Sequence, residues 1–411
     1  MTSAKPTLLP KSSQADRASI LIAGVSGRGL AASARRAGLE PLVADFFADA
    51  DTLRMARACI KLADIREGFN WEELAPALER LAAEASSPPI GLVYGSGFEG
   101  RPKLLAKIAE RFPLLGNDAA TVARVKDPER FFGAVAGLGI PHPRTATDRP
   151  EGGAWLAKRK GGAGGSHVQP LAAVSCEKNR IQPRAFMPEG KQTAESQYFQ
   201  EMVPGSPLSA LFVGDGRGAR VIGFSEQWTS PRPGAKWRYG GAVQPAALSN
   251  DFAQRLSRYV DTISRAFGLK GLGSADFLVD GEEGQLLEVN PRPGATLDIF
   301  DSEADPLLHL HLQAVLKGEL PRVPLPLKEA TAAAIVYASA PIKVAPGMVW
   351  PDWTSDQPKP GERIDKDRPI CTVLARATTG PEARRLVEER SEMILAACAD
   401  LNGGNSERYQ R

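Results

Sequence analysis

Leu287–Glu288–Val289–Asn290–Pro291–Arg292–Pro293–Gly294 decides how the rest of this chain is read. The first four residues form a strand pattern that two prolines and a glycine then stop. Side chains alternate along a strand, so Glu288 and Asn290 share a face. Asp276 lies about a dozen residues upstream, on Ser274–Val279, a second strand pattern. The turn Asp280–Gly284, with Gly281 and Gly284, would fold one strand onto the other and set Asp276 against Glu288 and Asn290. Two carboxylates and an amide oxygen are hard donors that suit Mg²⁺, which completes its octahedron with phosphate oxygens and water. The same residues would equally make an acidic strand facing solvent. Arg292 just beyond favours the first reading, since a guanidinium beside a metal can grip phosphate or carboxylate in two-pronged fashion.

Upstream of this segment the pattern is α/β. Ala18–Val25 and Ile90–Tyr94 are short apolar strands, Glu40–Phe47 is another, and Trp71–Glu84 has helical spacing. Such alternation implies a parallel sheet with helices on both faces. Helices are expected at Ala119–Val125, Pro128–Leu138, Phe252–Phe267 and Leu307–Leu316, the last opened by Pro306. Strands are expected at Ala154–Arg159, Ser196–Val203, Leu208–Val213 and Val221–Trp228. Pro321, Pro324 and Pro326 mark a linker, after which Ala333–Ala338, Ile370–Ala375 and a helix Pro381–Ala399 close the chain.

With 411 residues, 43% of them hydrophobic and 24% charged, the chain has material for several structural units. Its 51 basic and 48 acidic residues give a net charge of +3, no general reason to expect a nucleic-acid or membrane partner. Cys59, Cys176, Cys371 and Cys398 form no CxxC pair, which points away from zinc and disulfides and toward the cytoplasm. The polar start lacks the apolar stretch of a signal peptide.

Three other stretches carry chemistry. Lys158–Arg159–Lys160–Gly161–Gly162–Ala163–Gly164–Gly165–Ser166–His167 sets a lysine at a strand end before glycines whose backbone N–H groups can approach phosphate; it is otherwise a flexible hairpin. It is no Walker A motif, because no Gly-Lys-Ser/Thr opens a helix. Gln200–Glu201–Met202–Val203–Pro204–Gly205 offers backbone groups and an apolar wall to an adenine edge, or is an ordinary amphipathic strand. Gln227–Gly241 holds Arg232, Lys236, Arg238, Trp228 and Trp237 on a Pro/Gly-rich loop, which could cover a reacting phosphoryl group or pack as a solvated hairpin. Gly24–Val25–Ser26–Gly27–Arg28–Gly29 with Asp45 imitates a dinucleotide fingerprint, but the glycine spacing is wrong for one. The four histidines form no catalytic set.

In this order the motifs resemble the ATP-grasp superfamily: Lys158 before GGAGGS, Glu201 leading a hinge, Asp276, then EVNPRPG. The resemblance covers roughly residues 18 to 320. It implies an α/β chain with the ATP-grasp fold, in the predicted carboligase branch and related to biotin-carboxylase-like enzymes; LVYGSGFEG, PLLGN and RYGGAVQP look like that branch. The implied organisation is a leader (1–17) and a Rossmann-like pre-ATP-grasp domain (18–116). An ATP-grasp domain (117–320) with a lid near 145–205 follows, then a small α+β domain (330–401) and a tail (402–411). By resemblance, Lys126 and Lys158 with Gly162, Gly164, Gly165 and Ser166 would hold the ATP phosphates. Glu201, Met202 and Val203 would hold the adenine, and Ser209 stands where relatives carry a ribose-binding acid. Asp276, Glu288 and Asn290 would take one or two Mg²⁺, with Mn²⁺ as a substitute, while Arg292, Lys236 and Arg238 would act in catalysis.

The expected activity is ADP-forming carboxylate–amine ligation of two small molecules through an acyl phosphate. By analogy the product would be a one-carbon cofactor bearing glutamate on a pterin or furan. The alternatives are a biotin-carboxylase-like reaction with bicarbonate and a nucleotide-binding module without turnover. A homo-oligomer is compatible with the sequence.

Overall fold

The structure, a computed structural model, describes residues 17–171, 197–323 and 329–402. Most of the expected leader and tail, the middle of the lid, Cys176, Pro324 and Pro326 lie outside the described residues.

Apolar runs with no polar face must be covered on both sides, and β1 (Ser19–Ala23) and β2 (Glu40–Asp45) are buried at every position. With β3 (Ala58–Lys61) and β4 (Leu92–Tyr94) they form a parallel sheet of order β3-β2-β1-β4. Helix α1 (Arg28–Arg36) follows β1 directly, and Gly38 at φ +76° ends its last turn. Helix α2 (Ala50–Met55) precedes β3; neither was expected, being short and, for β3, without a buried face. Helix α3 (Trp71–Ala83) starts where the Asn70 side chain accepts from the Glu73 N–H, and buries Leu74, Leu78 and Leu81 along one stripe. Helix α4 (Pro102–Ala109) completes this layer.

The chain then turns through α5 (Ala119–Lys126) and α6 (Pro128–Gly137). Asp127 ends one helix and caps the next by accepting from the Arg130 N–H, so Lys126 sits at the break. A small antiparallel sheet follows: β5 (Thr145–Ala146), β6 (Trp155–Arg159), β7 (Val168–Pro170) and β8 (Gln197–Glu201), in order β5-β8-β6-β7.

The main sheet is built from β9 (Ser206–Asp215), β10 (Ala219–Thr229), β11 (Tyr239–Gln244), β12 (Lys270–Asp280) and β13 (Glu283–Asn290). Helix α7 (Asn250–Phe267) packs Phe252, Leu256, Val260 and Ile263 under β9 and β10. After α8 (Leu297–Phe300) and α9 (Leu307–Lys317), β14 (Ala330–Tyr337) pairs with β11. A two-stranded ribbon, β15 (Ile342–Lys343) with β17 (Arg363–Ile364), brackets β16 (Thr354–Ser355). β18 (Pro369–Ala377) pairs with β14, and α10 (Gly380–Asn402) covers both. Strands β14, β16 and β18 therefore start no sheet of their own. They extend the main one, whose eight-stranded order is β13-β12-β9-β10-β11-β14-β18-β16.

The N-terminal sheet is fastened to the main sheet by polar side chains. The Asn117 amide donates to the carbonyls of Lys270 (3.0 Å) and Pro291 (2.9 Å) and accepts from the Lys270 N–H (2.8 Å). On α9, His311 Nδ1 accepts from the Leu272 N–H, so Nε2 carries the proton and donates to the Leu115 carbonyl, both at 2.8 Å. Burial pushes this imidazole down to about 4, which keeps that neutral form.

Candidate active site

The β12–β13 hairpin forms, and a bulge that skips Leu287 sets Asp276 opposite Glu288 and Ser274 opposite Asn290. Asn290 Nδ2 donates to Asp276 Oδ2 at 3.0 Å and lies 3.4 Å from Glu288 Oε1, which puts all three side chains on one patch. Lys126 reaches it from the α5–α6 break: its Nζ is 2.7 Å from Asn290 Oδ1 and 3.5 Å from Glu288 Oε2. Lys158, buried on β6, donates to Gln200 Oε1 at 3.0 Å.

Burial raises a carboxylate's pKa, and it opposes the charge of both acids here. For Glu288 the nearby Lys126, Lys158 and His167 outweigh burial and hold the group below its usual range. Asp276 has burial and the Glu288 charge acting together and is raised, with only partial relief from Ser209, Arg292 and Lys126. Two facing carboxylates of which one is pushed up are short of positive charge. An ammonium already stands where the Asn290 and Glu288 oxygens converge. That donor set and that deficit fit a hard divalent cation at Asp276, Glu288 and Asn290.

A cleft opens beside this patch, lined by Lys126, Arg159, Gly162, His167, Tyr198 and Glu288 among others. His167 was not expected there. Its Nδ1 lies 3.2 Å from the Ala163 carbonyl, and burial pushes its pKa down to about 4. The only sequence signal was its place at the end of the glycine run. The loop itself is wedged between two neighbours. A Cβ at Gly161 would come within 2.5 Å of Gly100 Cα, and one at Gly165 (φ +74°) would collide with the Trp237 carbonyl oxygen.

Arg292 is buried, its Nε donating to Glu99 Oε1 at 2.7 Å and its Nη1 to the Pro293 carbonyl at 3.3 Å. Glu99 is held in turn by the Gly97 N–H at 2.7 Å. The N-terminal turn Gly95–Glu99 thus aims the arginine. Its Nη2 makes no hydrogen bond among the described residues.

Five other expected site residues are placed as follows. Ser209 lies on β9 opposite Asp276 and donates to its Oδ1 at 2.6 Å, which ties it to the acid patch. Glu201 is gripped by Arg144 at 2.9 and 2.8 Å, while Met202 is exposed and its N–H pairs with the Ala154 carbonyl. Lys236 is exposed with its ammonium over the Trp237 ring, and Arg238 is committed to Ser230, Asp367 and Tyr337. Neither cation is brought to the acid patch. Asp45 accepts from the backbone N–H groups of Gly27, Phe47 and Ala48, which uses it locally and removes the basis for a dinucleotide site.

Residues 130–296 match the ATP-grasp domain family, so the chain carries an ATP-grasp domain. Two solved structures share the fold across nearly the whole chain. The N5-carboxyaminoimidazole synthetase from Staphylococcus aureus complexed with ADP is 14% identical with a TM-score of 0.60, covering 91% of this chain and 97% of that one. The biotin carboxylase–β,γ-ATP complex from Campylobacter jejuni is 16% identical with a TM-score of 0.66, covering 90% of each. Among curated sequences, the carbamoyl phosphate synthase large chain of Myxococcus xanthus is 22% identical over 221 residues, 51% of this chain and 20% of that protein. The matches span less than half the length of such curated relatives. Among the described residues no helix is long and apolar enough to cross a membrane.

Proposed function

We propose that this chain is an ATP-dependent ligase that activates a small carboxylate and joins it to an amine. The observation that carries the reading is the convergence of Lys126 on Asp276, Glu288 and Asn290 at the edge of a cleft roofed by the glycine loop. Nucleotide complexes of proteins that share the fold, one with ADP and one with β,γ-ATP, support a nucleotide in that cleft.

In the first step a carboxylate oxygen of the acid attacks the γ-phosphorus of ATP. The bond to the β,γ-bridging oxygen breaks, and ADP leaves. The amine nitrogen then attacks the acyl carbon, phosphate departs with the C–O bond's electrons, and the amine's proton is released to give an amide. Mg²⁺ held at Asp276, Glu288 and Asn290 would neutralise phosphate charge. Lys126 and Lys158 supply fixed positive charge to the transferring group. The spare donors of Arg292, aimed by Glu99, suit an anionic oxygen of the acyl phosphate. The glycine loop presents backbone N–H groups and excludes water that would hydrolyse this intermediate.

The test is to titrate the protein with ADP with and without Mg²⁺, and then to incubate it with Mg-ATP and panels of acids and amines while following ADP and product mass. Mg²⁺-dependent nucleotide binding and ADP release that needs both an acid and an amine are expected. ADP release driven by bicarbonate alone would replace the amide reading with carboxylation, and a protein that binds no nucleotide would end both.

A further inference from the structure

The stretch Trp237–Arg238–Tyr239 forms the floor on which the glycine loop rests. The Tyr239 N–H donates to the Gly164 carbonyl at 3.2 Å, Gly165 lies against the Trp237 carbonyl, and Gln169 Nε2 donates to the Gly234 carbonyl at 2.8 Å. This floor is held from the far side. Arg238 donates from Nε to the Ser230 carbonyl (2.8 Å) and from Nη2 to Ser230 Oγ (3.1 Å), closing the base of its own loop. Nη1 donates to the Asp367 carbonyl (3.0 Å), and the guanidinium carbon stands 3.6 Å from the ring centroid of Tyr337. The Tyr337 hydroxyl donates to the Tyr239 carbonyl at 2.8 Å. Tyr337 is on β14 and Asp367 on the turn before β18, so both supports come from the C-terminal strands.

The geometry points to Arg238 and Tyr337 as positioning residues that set how firmly the glycine loop is seated, acting through the backbone of residues 237–239 and touching no substrate. A planar fork that bonds in three directions while stacking on a ring fixes a backbone more rigidly than a lysine could. Backbone donors aimed at phosphate act only if they are held in place beforehand. The link from seating to nucleotide affinity rests on the proposed nucleotide reading; the seat itself does not.

Arg159 and Lys160 lead directly into the loop, so tryptic cleavage after them reports its opening. In the full chain without nucleotide, Tyr337→Phe, which removes one hydrogen bond, is expected to speed cleavage at these two bonds about five-fold. Arg238→Lys, which loses the fork and the stack, is expected to speed it about ten-fold or more. Cleavage elsewhere and the melting temperature of Tyr337→Phe should stay at wild-type values. Mg-ADP, used as the probe, should bind the variants more weakly in the same order, by a factor no larger than the gain in cleavage. Acceleration at every bond, or at none, would overturn the inference. A wild-type protein that binds no Mg-ADP would remove the nucleotide reading while the proteolysis still judged the seat.

Discussion

Two carboxylate clusters in this molecule use their charge in opposite ways. On the β12–β13 hairpin, Asp276 and Glu288 meet two lysines on long flexible stems, and the acids keep an unmet demand for cation. At the junction of the N-terminal sheet, α8 and the β16–β18 region, Arg28 is locked by Asp298 (2.5 Å from Nη1) and Asp356 (3.0 Å from Nε), using four of its five N–H groups in all. Asp356 also accepts from Ser26 Oγ and Thr372 Oγ1, and Asp51 accepts from the backbone N–H groups of Asp356 and Gln357. Burial opposes the Arg28 charge, yet the two aspartates outweigh it and raise its pKa. With its charge paired twice and four donors engaged, Arg28 makes this second cluster a fastening. The proposed cation site rests on the demand left unmet at the hairpin.

That contrast can be broken. Glu288→Ala should carry the largest functional effect, lowering Mg²⁺-dependent ADP release by about 100-fold or more. The fold should persist with a modest fall in melting temperature, because Asp276 loses the like charge facing it while Lys126 and Lys158 lose their partner. Wild-type turnover in this variant would dissolve the difference between the clusters. Arg28→Ala should do the reverse, leaving Asp298 and Asp356 buried without their cation at a cost of about 3–5 kcal/mol. The denaturant midpoint measures that loss, and protein that still folds should bind Mg-ADP with wild-type affinity.

The hairpin cluster was legible in the sequence because its residues are local. A short turn brings the two strands together, and the one step alternation does not predict is the bulge at Leu287 that sets Asp276 opposite Glu288. The junction was not legible, since Arg28 finds Asp298 and Asp356 at separations of 270 and 328 residues. The partners of Arg238 were hidden for the same reason. A cation on a Pro/Gly-rich loop has one pattern whether it faces substrate or, as here, a tyrosine from β14 far along the chain. The strand patterns of the last region were found, but alternation does not say which sheet a strand joins, and β14 joined the main one.

Asp49 is the member of the junction that departs from saturation. Its Oδ2 is buried without a hydrogen-bond partner. Burial, together with Asp356, Asp45 and Asp51, drives its pKa well above the carboxylate range. The unfolded carboxyl ionises near pH 4 while the folded one keeps its proton, so above that pH the native state binds the extra proton and stability falls as pH rises. Asp49→Asn cannot lose a proton. Melting temperatures measured between about pH 5 and pH 8 should favour the variant by a margin that widens with pH, at no more than about 1.4 kcal/mol per unit. A constant margin would mean that Asp49 is already ionised in the folded protein.

The smallest expected effect is also the one that separates two roles for a single hydroxyl. Ser209→Ala removes the 2.6 Å hydrogen bond to Asp276 Oδ1, which works against the burial that raises this acid. Losing one such bond should weaken the apparent Mg²⁺ affinity in ADP titrations about three- to five-fold and leave the fold unchanged. Because the serine lies beside Asp276 on the paired strand, raising Mg²⁺ to saturation should restore wild-type ADP affinity. A hydroxyl that bound ribose would behave differently. Its loss would weaken ADP binding at every Mg²⁺ concentration, and Ser209 would then belong to the nucleotide pocket and not to the floor of the acid patch.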